Sequence, residues 1–291
     1  MSRLRAAAHA VRAARGALTR GAPEAPGQAI ILDHPVRPAS RWGYGQPPHP
    51  ELDRIITAGR DRYEERLRSL LPFTDELAAI PFDGSGRDPS WTNGWFQGLD
   101  AASLYGFLVQ CNPATYLEVG AGNSTRFARR AIERHGLQTK VISIDPSPRA
   151  ALDGLADVHI ASPLEDLDED VFAPLAAGDV LLVDGSHRVF TNSDVTVFFC
   201  EVLPRLPAGV LVYVDDVFLP WDYPPQMSGE WYSEQYLLAA WLLAGDRLEV
   251  TLPDFWVSTQ PELHGLLAPL WDTFTWAAVP TNGTGFWFTV R

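Results

Sequence analysis

The sequence has only two cysteines in 291 residues, Cys111 and Cys200, and they lie far apart. That excludes a disulfide scaffold and any cysteine-rich zinc module. No apolar run approaches the roughly 20 residues that a membrane-spanning helix needs. No secretory apolar core stands near the start, so a cytoplasmic location is expected. Cations are outnumbered, 23 Lys and Arg against 36 Asp and Glu, and the net charge of −13 argues against a nucleic-acid partner. Nor is this a disordered acidic chain, since 46% of residues are apolar and only 20% charged. There is no internal repeat. The length allows one large domain or two small ones, with a core that needs no covalent staples.

What is present is unevenly spread. Residues 1–20 carry Arg3, Arg5, Arg12, Arg15 and Arg20 and no acid. They read as a basic helix, either a membrane-surface or targeting helix or a frayed terminus. The second is favoured, because an alanine-rich face binds lipid weakly. Residues 21–50 hold Pro23, Pro26, Pro35, Pro38, Pro47, Pro48 and Pro50, a density that predicts a linker or wrapped arm. Residues 51–71 place Leu52, Ile55, Ile56, Tyr63, Leu67 and Leu70 near helical spacing. With the irregular, tryptophan-bearing stretch 82–97, they read as a helical cap or lid extension over 51–97. Residues 98–110 read as a further helix.

From Tyr116 the character changes to alternating strands and helices. Strands are expected at 116–119, 141–144, 158–161, 179–183, 209–214, 248–252 and 285–290. Helices are expected at 124–135, with Asn123 or Ser124 as cap, at 193–203 and at 233–243. This is the pattern of an α/β protein, a Rossmann-like sheet with helices on both faces. Apolar runs such as VLLV fit strands buried on both sides.

Ligands of such sheets bind at the carboxyl ends of the strands. Four of the five segments there carry an acid: Glu118 before the glycine turn, Asp145, Asp184, and the pair Asp215 and Asp216. Burying unpaired carboxylates costs energy, so a structural sheet has no need of them there. Gly120 and Gly122 let the backbone approach a ligand, and Asn123 and Ser124 open a helix with free N–H groups. A dinucleotide site wants a third glycine, but the sequence is GAGNST, with Thr125 in that place. Glu118 would repel a pyrophosphate and attract an amine. Asp145, 23 residues after Gly122, suits the two hydroxyls of a ribose. A ribose and an ammonium group without phosphate point to S-adenosylmethionine (SAM). The rival reading is a generic sheet whose glycines only make a turn.

YLEVGAGNSTRFA followed by VISIDPSP resembles the first two motifs of class I SAM-dependent methyltransferases. DVLLVDGSHRVFTNSDVTVFFCEVLPRL and GVLVYVDDVFLPWDYPP resemble a bacterial branch related to methyltransferase family 24 and, more distantly, to macrocin-type O-methyltransferases. The resemblance spans residues 98–291, which would form the SAM-dependent methyltransferase domain. It implies seven strands with the last antiparallel, 285–290 making a hairpin with 248–252. It also implies SAM held by Glu118, Gly120, Gly122 and Asp145, with Ser162, Pro163 and Leu164 near the adenine.

The fourth and fifth strands would be neighbours, about 4.8 Å apart. Asp184, Asp215 and Asp216 would then meet, and three carboxylates so close call for protons or a hard cation such as Mg²⁺. Macrocin-type and catechol-type enzymes use comparable acids for a metal that binds the acceptor oxygen. Relatives in family 24 usually have His-Asp where this chain has Asp215-Asp216, and often His in place of Tyr213. The alternative has Asp184 against the cofactor or a turn, with Asp215 and Asp216 capping a loop. His187, three residues after Asp184, is a candidate base or orienter, or simply a hydrogen-bonding loop residue. Arg188 is a candidate for an acidic substrate group or for pairing with Asp184 or Glu165. The segment 218–225 is expected to wall the acceptor pocket or to pack against the sheet edge, and Trp91 and Trp95 to form a lid.

The expected function is methyl transfer from SAM to a small-molecule acceptor, at a hydroxyl oxygen, assisted by a divalent metal at Asp184, Asp215 and Asp216. Three rivals stand beside it: a non-catalytic SAM-binding homologue, an NAD-linked oxidoreductase, and a metal-dependent hydroxylase-like or hydrolytic enzyme.

Overall fold

The computed structural model describes residues 33, 34, 36–84, 86–148, 151–274 and 279–291. The chain divides into two units, and every element below belongs to the second, Ala39–Arg291. The basic helix expected over residues 1–20, and residues 21–32 and 35 of the proline-rich segment, lie outside the described residues.

Residues 51–71 do not form one helix. They split into α1, Pro50–Thr57, and α2, Arg60–Leu70. The break has a local cause. At Gly59 a Cβ would lie 2.3 Å from the Tyr63 hydroxyl, and that buried hydroxyl donates to the Ile56 carbonyl at 2.8 Å. The tyrosine thus satisfies a helix-end acceptor that the next turn would otherwise have served. A short α3, Thr74–Ala78, follows, and then α4, Gly98–Cys111, which is buried from Gly98 through Leu108. Trp91, expected in a lid, is instead fully buried against Phe127 and Phe274, its indole N–H donating to the Leu77 carbonyl at 3.0 Å.

The strands are β1 Thr115–Val119, β2 Lys140–Ile144, β3 Val158–Ile160, β4 Val180–Val183, β5 Leu211–Val214, β6 Leu248–Pro253 and β7 Phe286–Val290. Between them stand α5, Asn123–His135; α6, Asp194–Val197; and α7, Glu234–Ala244. The sheet order is β3-β2-β1-β4-β5-β7-β6, with β7 antiparallel to both neighbours. This is a seven-stranded sheet with its last strand antiparallel, as the resemblance implies. The expected hairpin is not a tight one: residues 254–285 intervene, and β7 slots between β5 and β6. β4 and β5 are buried along their whole length, as their apolar runs require, and so is β1 although it carries Thr115 and Glu118.

The helix expected over 193–203 is short. After α6 the backbone widens into a π turn, Phe198–Val202, and tightens into a 3-10 turn, Leu203–Arg205. Pro204 has no N–H to return to the preceding turn, and its ring crowds that turn.

A buried acid pair sets the entry to β7. Asp100 of α4 accepts the backbone N–H groups of Thr284 and Gly285. Asp254, fully buried, accepts from Ser103 Oγ at 3.1 Å. Burial raises both carboxyls, Asp100 to about 6 and Asp254 well above the ordinary range, the charge of Asp100 adding to the latter. Asp254 Oδ1 has no donor facing it, which fits an oxygen that carries the proton shared with Asp100. Such raised groups favour the fold fully below their unfolded value, near pH 4, and this support is lost as pH climbs through the raised value. Asp254→Asn should therefore flatten the fall in urea stability between pH 4 and 7, by up to about 1.4 kcal/mol per pH unit for one proton. An unchanged slope would show that the pair is not protonated.

Candidate active site

The order of strands reverses between β1 and β4, so the crevice of the sheet opens at their carboxyl ends. Gly120 stands at φ +83°, and a Cβ there would lie 1.9 Å from the Asp184 carbonyl oxygen. Its glycine is required by the close passage of the β1 and β4 ends, before any ligand is considered. At Gly122 a Cβ would meet nothing within 4 Å, so this residue does leave open space beside the crevice. Gly122, and not Asn123 or Ser124, is the N-cap of α5.

Glu118 does not face the crevice. It is wholly buried, and its carboxylate accepts four hydroxyls: Tyr116 at 2.9 Å, Ser124 at 3.0 Å, and Thr125 and Ser143 each at 2.5 Å. Burial raises its pKa, and these four hydrogen bonds oppose the rise. Thr125 Oγ1 in turn accepts the Gly122 N–H at 3.0 Å. The direct grip on an amine expected of Glu118 has no exposed carboxylate oxygen to make it here, and the same hydroxyls link Glu118 to the glycine loop through Thr125.

Asp145, at the end of β2, does reach the crevice. Its two oxygens accept the N–H of Ala121 at 2.8 Å and of Ser147 at 2.7 Å. It lines a cavity of about 390 Å³ with Ile144, Pro163, Leu164, Glu165 and Asp194 among others. Ser162 is not among the lining residues. A second cavity, of about 300 Å³, is lined by Asp83, Trp95, Phe96, Gly122, Asn123, Ser124 and Arg126, among others. Ala121 and Asp184 line both, so the two cavities meet at the end of the glycine loop. Trp95 stands exposed at the second, whereas Trp91 belongs to the core.

Asp184 is held from below. The buried His187 places Nε2 3.2 Å from Asp184 and 3.8 Å from Asp216, and Nδ1 2.8 Å from the buried Glu234 of α7. Burial alone would lower the His187 pKa, but the hydrogen bonds to Asp184 and Glu234 prevail and raise it well above the ordinary value. His187 is thus clamped between carboxylates that favour its protonated form, an arrangement that suits an orienting role better than that of a base. The loop itself is held by Asp194, which accepts the N–H and hydroxyl of Ser186 at 2.6 and 2.5 Å.

The three-acid metal set does not assemble. Asp215 turns inward, accepting from Tyr213 at 2.8 Å and Thr284 at 3.3 Å, while Asp184 and Asp216 meet on the imidazolium. Among the described residues no three His, Cys, Asp or Glu side chains form a metal-binding group. These residues do not fit the expected Mg²⁺. Arg188 is spent on the Glu230 carbonyl and carboxylate and on the Tyr232 ring. The segment 218–225 packs into the body, Phe218 against Phe255 and Asp222 under Arg41 and Trp42, and lines neither cavity. Glu234 and Arg126 join the site without a motif that marks them in the sequence. The only signal for Glu234 was an acid opening a helix, and for Arg126 its place one turn past the glycines.

Removing His187 strands the buried Glu234 charge. His187→Ala should cost about 3–5 kcal/mol in urea unfolding, and the double variant His187→Ala/Glu234→Leu should be more stable than the single one. A single-variant loss under about 1 kcal/mol would contradict the clamp.

Residues 117–217 match the family model described as a methyltransferase domain. No curated protein matches the chain. Among solved structures, the Podospora anserina methyltransferase PaMTH1 with bound SAH is 18% identical, covering 62% of this chain and 81% of that one, with TM-score 0.38. The plantazolicin methyltransferase BpumL with SAH is 13% identical, covering 84% of this chain and all of that one, with TM-score 0.39. The sequence match falls on the segment from β1 to β5 that builds the crevice. The chain is thus similar to a methyltransferase domain over residues 117–217, the part that holds the parallel strands β1 to β5.

Proposed function

We propose that this chain is a SAM-dependent methyltransferase acting on a small-molecule acceptor, at a hydroxyl oxygen. The observation that carries the reading is the charge of the larger cavity. Among the described residues its lining holds four acids, Asp145, Glu165, Asp184 and Asp194, and no Lys or Arg. A diphosphate would be repelled there, whereas a cationic sulfonium nucleoside is attracted. This argues against a nicotinamide dinucleotide more strongly than the missing third glycine does. Asp145 suits the ribose hydroxyls, and Pro163 and Leu164 suit an adenine face.

When bound, SAM supplies a methyl group on a positively charged sulfur. The protein's own part is to position and to receive a proton. Asp184, shared by the two cavities, stands where the reacting groups would meet, and its carboxylate takes the acceptor's hydroxyl proton. His187 supplies an N–H to Asp184 and Glu234 holds the imidazolium, so the carboxylate is oriented before the acceptor arrives. Such a positioned base contributes typically about 10²–10⁴-fold.

Calorimetry and thermal shift with SAM, SAH and NADH test the reading. SAM and SAH should bind and raise the unfolding midpoint, and NADH should not. Labelled SAM offered with phenolic and sugar hydroxyls should yield a methyl ether, and Asp184→Asn should lower that rate about 10²–10⁴-fold. No binding of SAM at millimolar concentration would remove the reading. Binding without turnover across such a panel would favour a non-catalytic homologue.

A further inference from the structure

The first three residues of α7 each hold a different part of the molecule. Glu234 meets His187 Nδ1 at 2.8 Å. Gln235, wholly buried, accepts the Phe218 N–H at 2.8 Å and donates to the Trp221 carbonyl at 3.1 Å, and its backbone N–H goes to the Tyr223 hydroxyl at 3.1 Å. Tyr236 donates its hydroxyl to Asp222 Oδ1 at 3.1 Å. The other oxygen of Asp222 accepts the backbone N–H groups of Arg41 and Trp42, and the Asp222 N–H returns to the Trp42 carbonyl at 3.2 Å. Residues 40–49 are thereby strapped across segment 218–223. Ser40 Oγ donates to the Tyr223 carbonyl at 3.2 Å, and the His49 N–H to the Pro220 carbonyl at 2.9 Å. Between these ties Gly43, at φ +76°, lies flat on an indole, and a Cβ there would stand 2.5 Å from Trp221 Cδ1.

We propose that this strap sets the orientation of Asp184 from outside the crevice, with Asp222 as the positioning residue that joins the strap to the head of α7. The catalytic meaning of the inference rests on the methyltransferase reading, whereas the coupling itself rests on the contacts alone. Two observations carry it. Glu234 cannot hold its own place: it is wholly buried, its Oε2 meets His187, and its Oε1 has no hydrogen-bond partner. Its position is therefore that of the helix head. The same head also reaches the clamp through the backbone, since the N–H groups of Ser233 and Glu234 both go to the His187 carbonyl, at 2.8 and 3.2 Å. The second observation is Asp222. Its carboxylate is buried, and the strap supplies two of the three donors that complete it. Without the strap this carboxylate would turn toward water and release Tyr236. Strap, helix head, His187 and Asp184 thus form one chain of contacts, although residues 40–49, Asp222 and Gln235 line neither cavity of the crevice.

The test reads the clamp directly. In the full chain labelled with ¹⁵N, the imidazole N–H resonance of His187 is assigned by its loss in His187→Ala, and then followed in Asp222→Ala, Asp222→Asn and Gly43→Val. Asp222→Ala and Gly43→Val should shift or broaden it. They should also lower kcat about 10-fold, on any phenolic or sugar hydroxyl that wild type methylates, because a catalytic group slightly out of place loses rate steeply. SAH affinity and the KM of that acceptor should stay within about 2-fold, as for a distant and independent site. Asp222→Asn, which keeps an acceptor oxygen toward the strap, should recover most of the resonance and the rate. Where Asp222→Ala fails to fold, Tyr236→Phe, which removes only the hydroxyl between Asp222 and the helix, gives the same reading. An unchanged His187 resonance in the folded variants would overturn the proposal. A fall in SAH affinity equal to the fall in kcat would overturn it in favour of a general loosening of the fold. Wild type that binds no SAM would end the methyltransferase reading, and the resonance would still decide whether strap and clamp are coupled.

Discussion

A carboxylate buried without counter-ion is among the costliest things a core can hold, unless hydrogen bonds replace its water. Glu118 meets that condition with four hydroxyls drawn from three elements: Tyr116 on its own strand, Ser143 on β2, and Ser124 and Thr125 on α5. Satisfying one charge ties the ends of β1 and β2 to the start of α5. The glycine loop, carried between them, inherits its shape, since Thr125 also takes the Gly122 N–H and Asp145 takes that of Ala121. The crevice is therefore shaped before a ligand enters, and little ordering is left for binding to accomplish.

A second buried network stands across the crevice. Glu234 and Asp184 hold His187 from opposite ring nitrogens, and Asp216 stands near. The two networks share a logic, with a buried partner orienting the surface that a ligand meets. They differ in what they do with charge. The Glu118 cage hides its carboxylate, whereas the His187 clamp leaves Asp184 lining both cavities. An acid-rich chain thereby concentrates negative charge in the cavity where the proposed function seats a sulfonium.

Much of this was legible in the residues. The strand runs, the glycine turn and the acids at the strand ends are local features, and period and turn chemistry expose them directly. β1, β2 and β4 fall within one residue of their expected bounds for that reason. What could not be read was direction. Glu118 and Asp145 both follow the rule of an acid beside the switch point, yet one faces the core and the other the crevice. Only the four hydroxyls around Glu118, three of them at spacings of two, six and seven residues and one on another strand, decide it. His187 looked like a base because its partner Glu234 lies 47 residues on. Trp91 looked like a lid because its neighbours are loop formers, although its ring reaches Phe127 and Phe274 in the core. The apparent metal trio is divided by its partners: Asp215 is taken up by Tyr213 and Thr284, whereas Asp184 and Asp216 stand against His187.

Whether Glu118 shapes the crevice or touches the ligand is the question on which the rest depends. A crystal structure of the chain with SAH would settle it. The expected result is a ligand with its ribose at Asp145 and Glu118 still enclosed by Tyr116, Ser124, Thr125 and Ser143, making no contact with it. A Glu118 carboxylate turned out of that cage onto the ligand's amine, or a ligand lying away from the β1–β4 crevice, would contradict it.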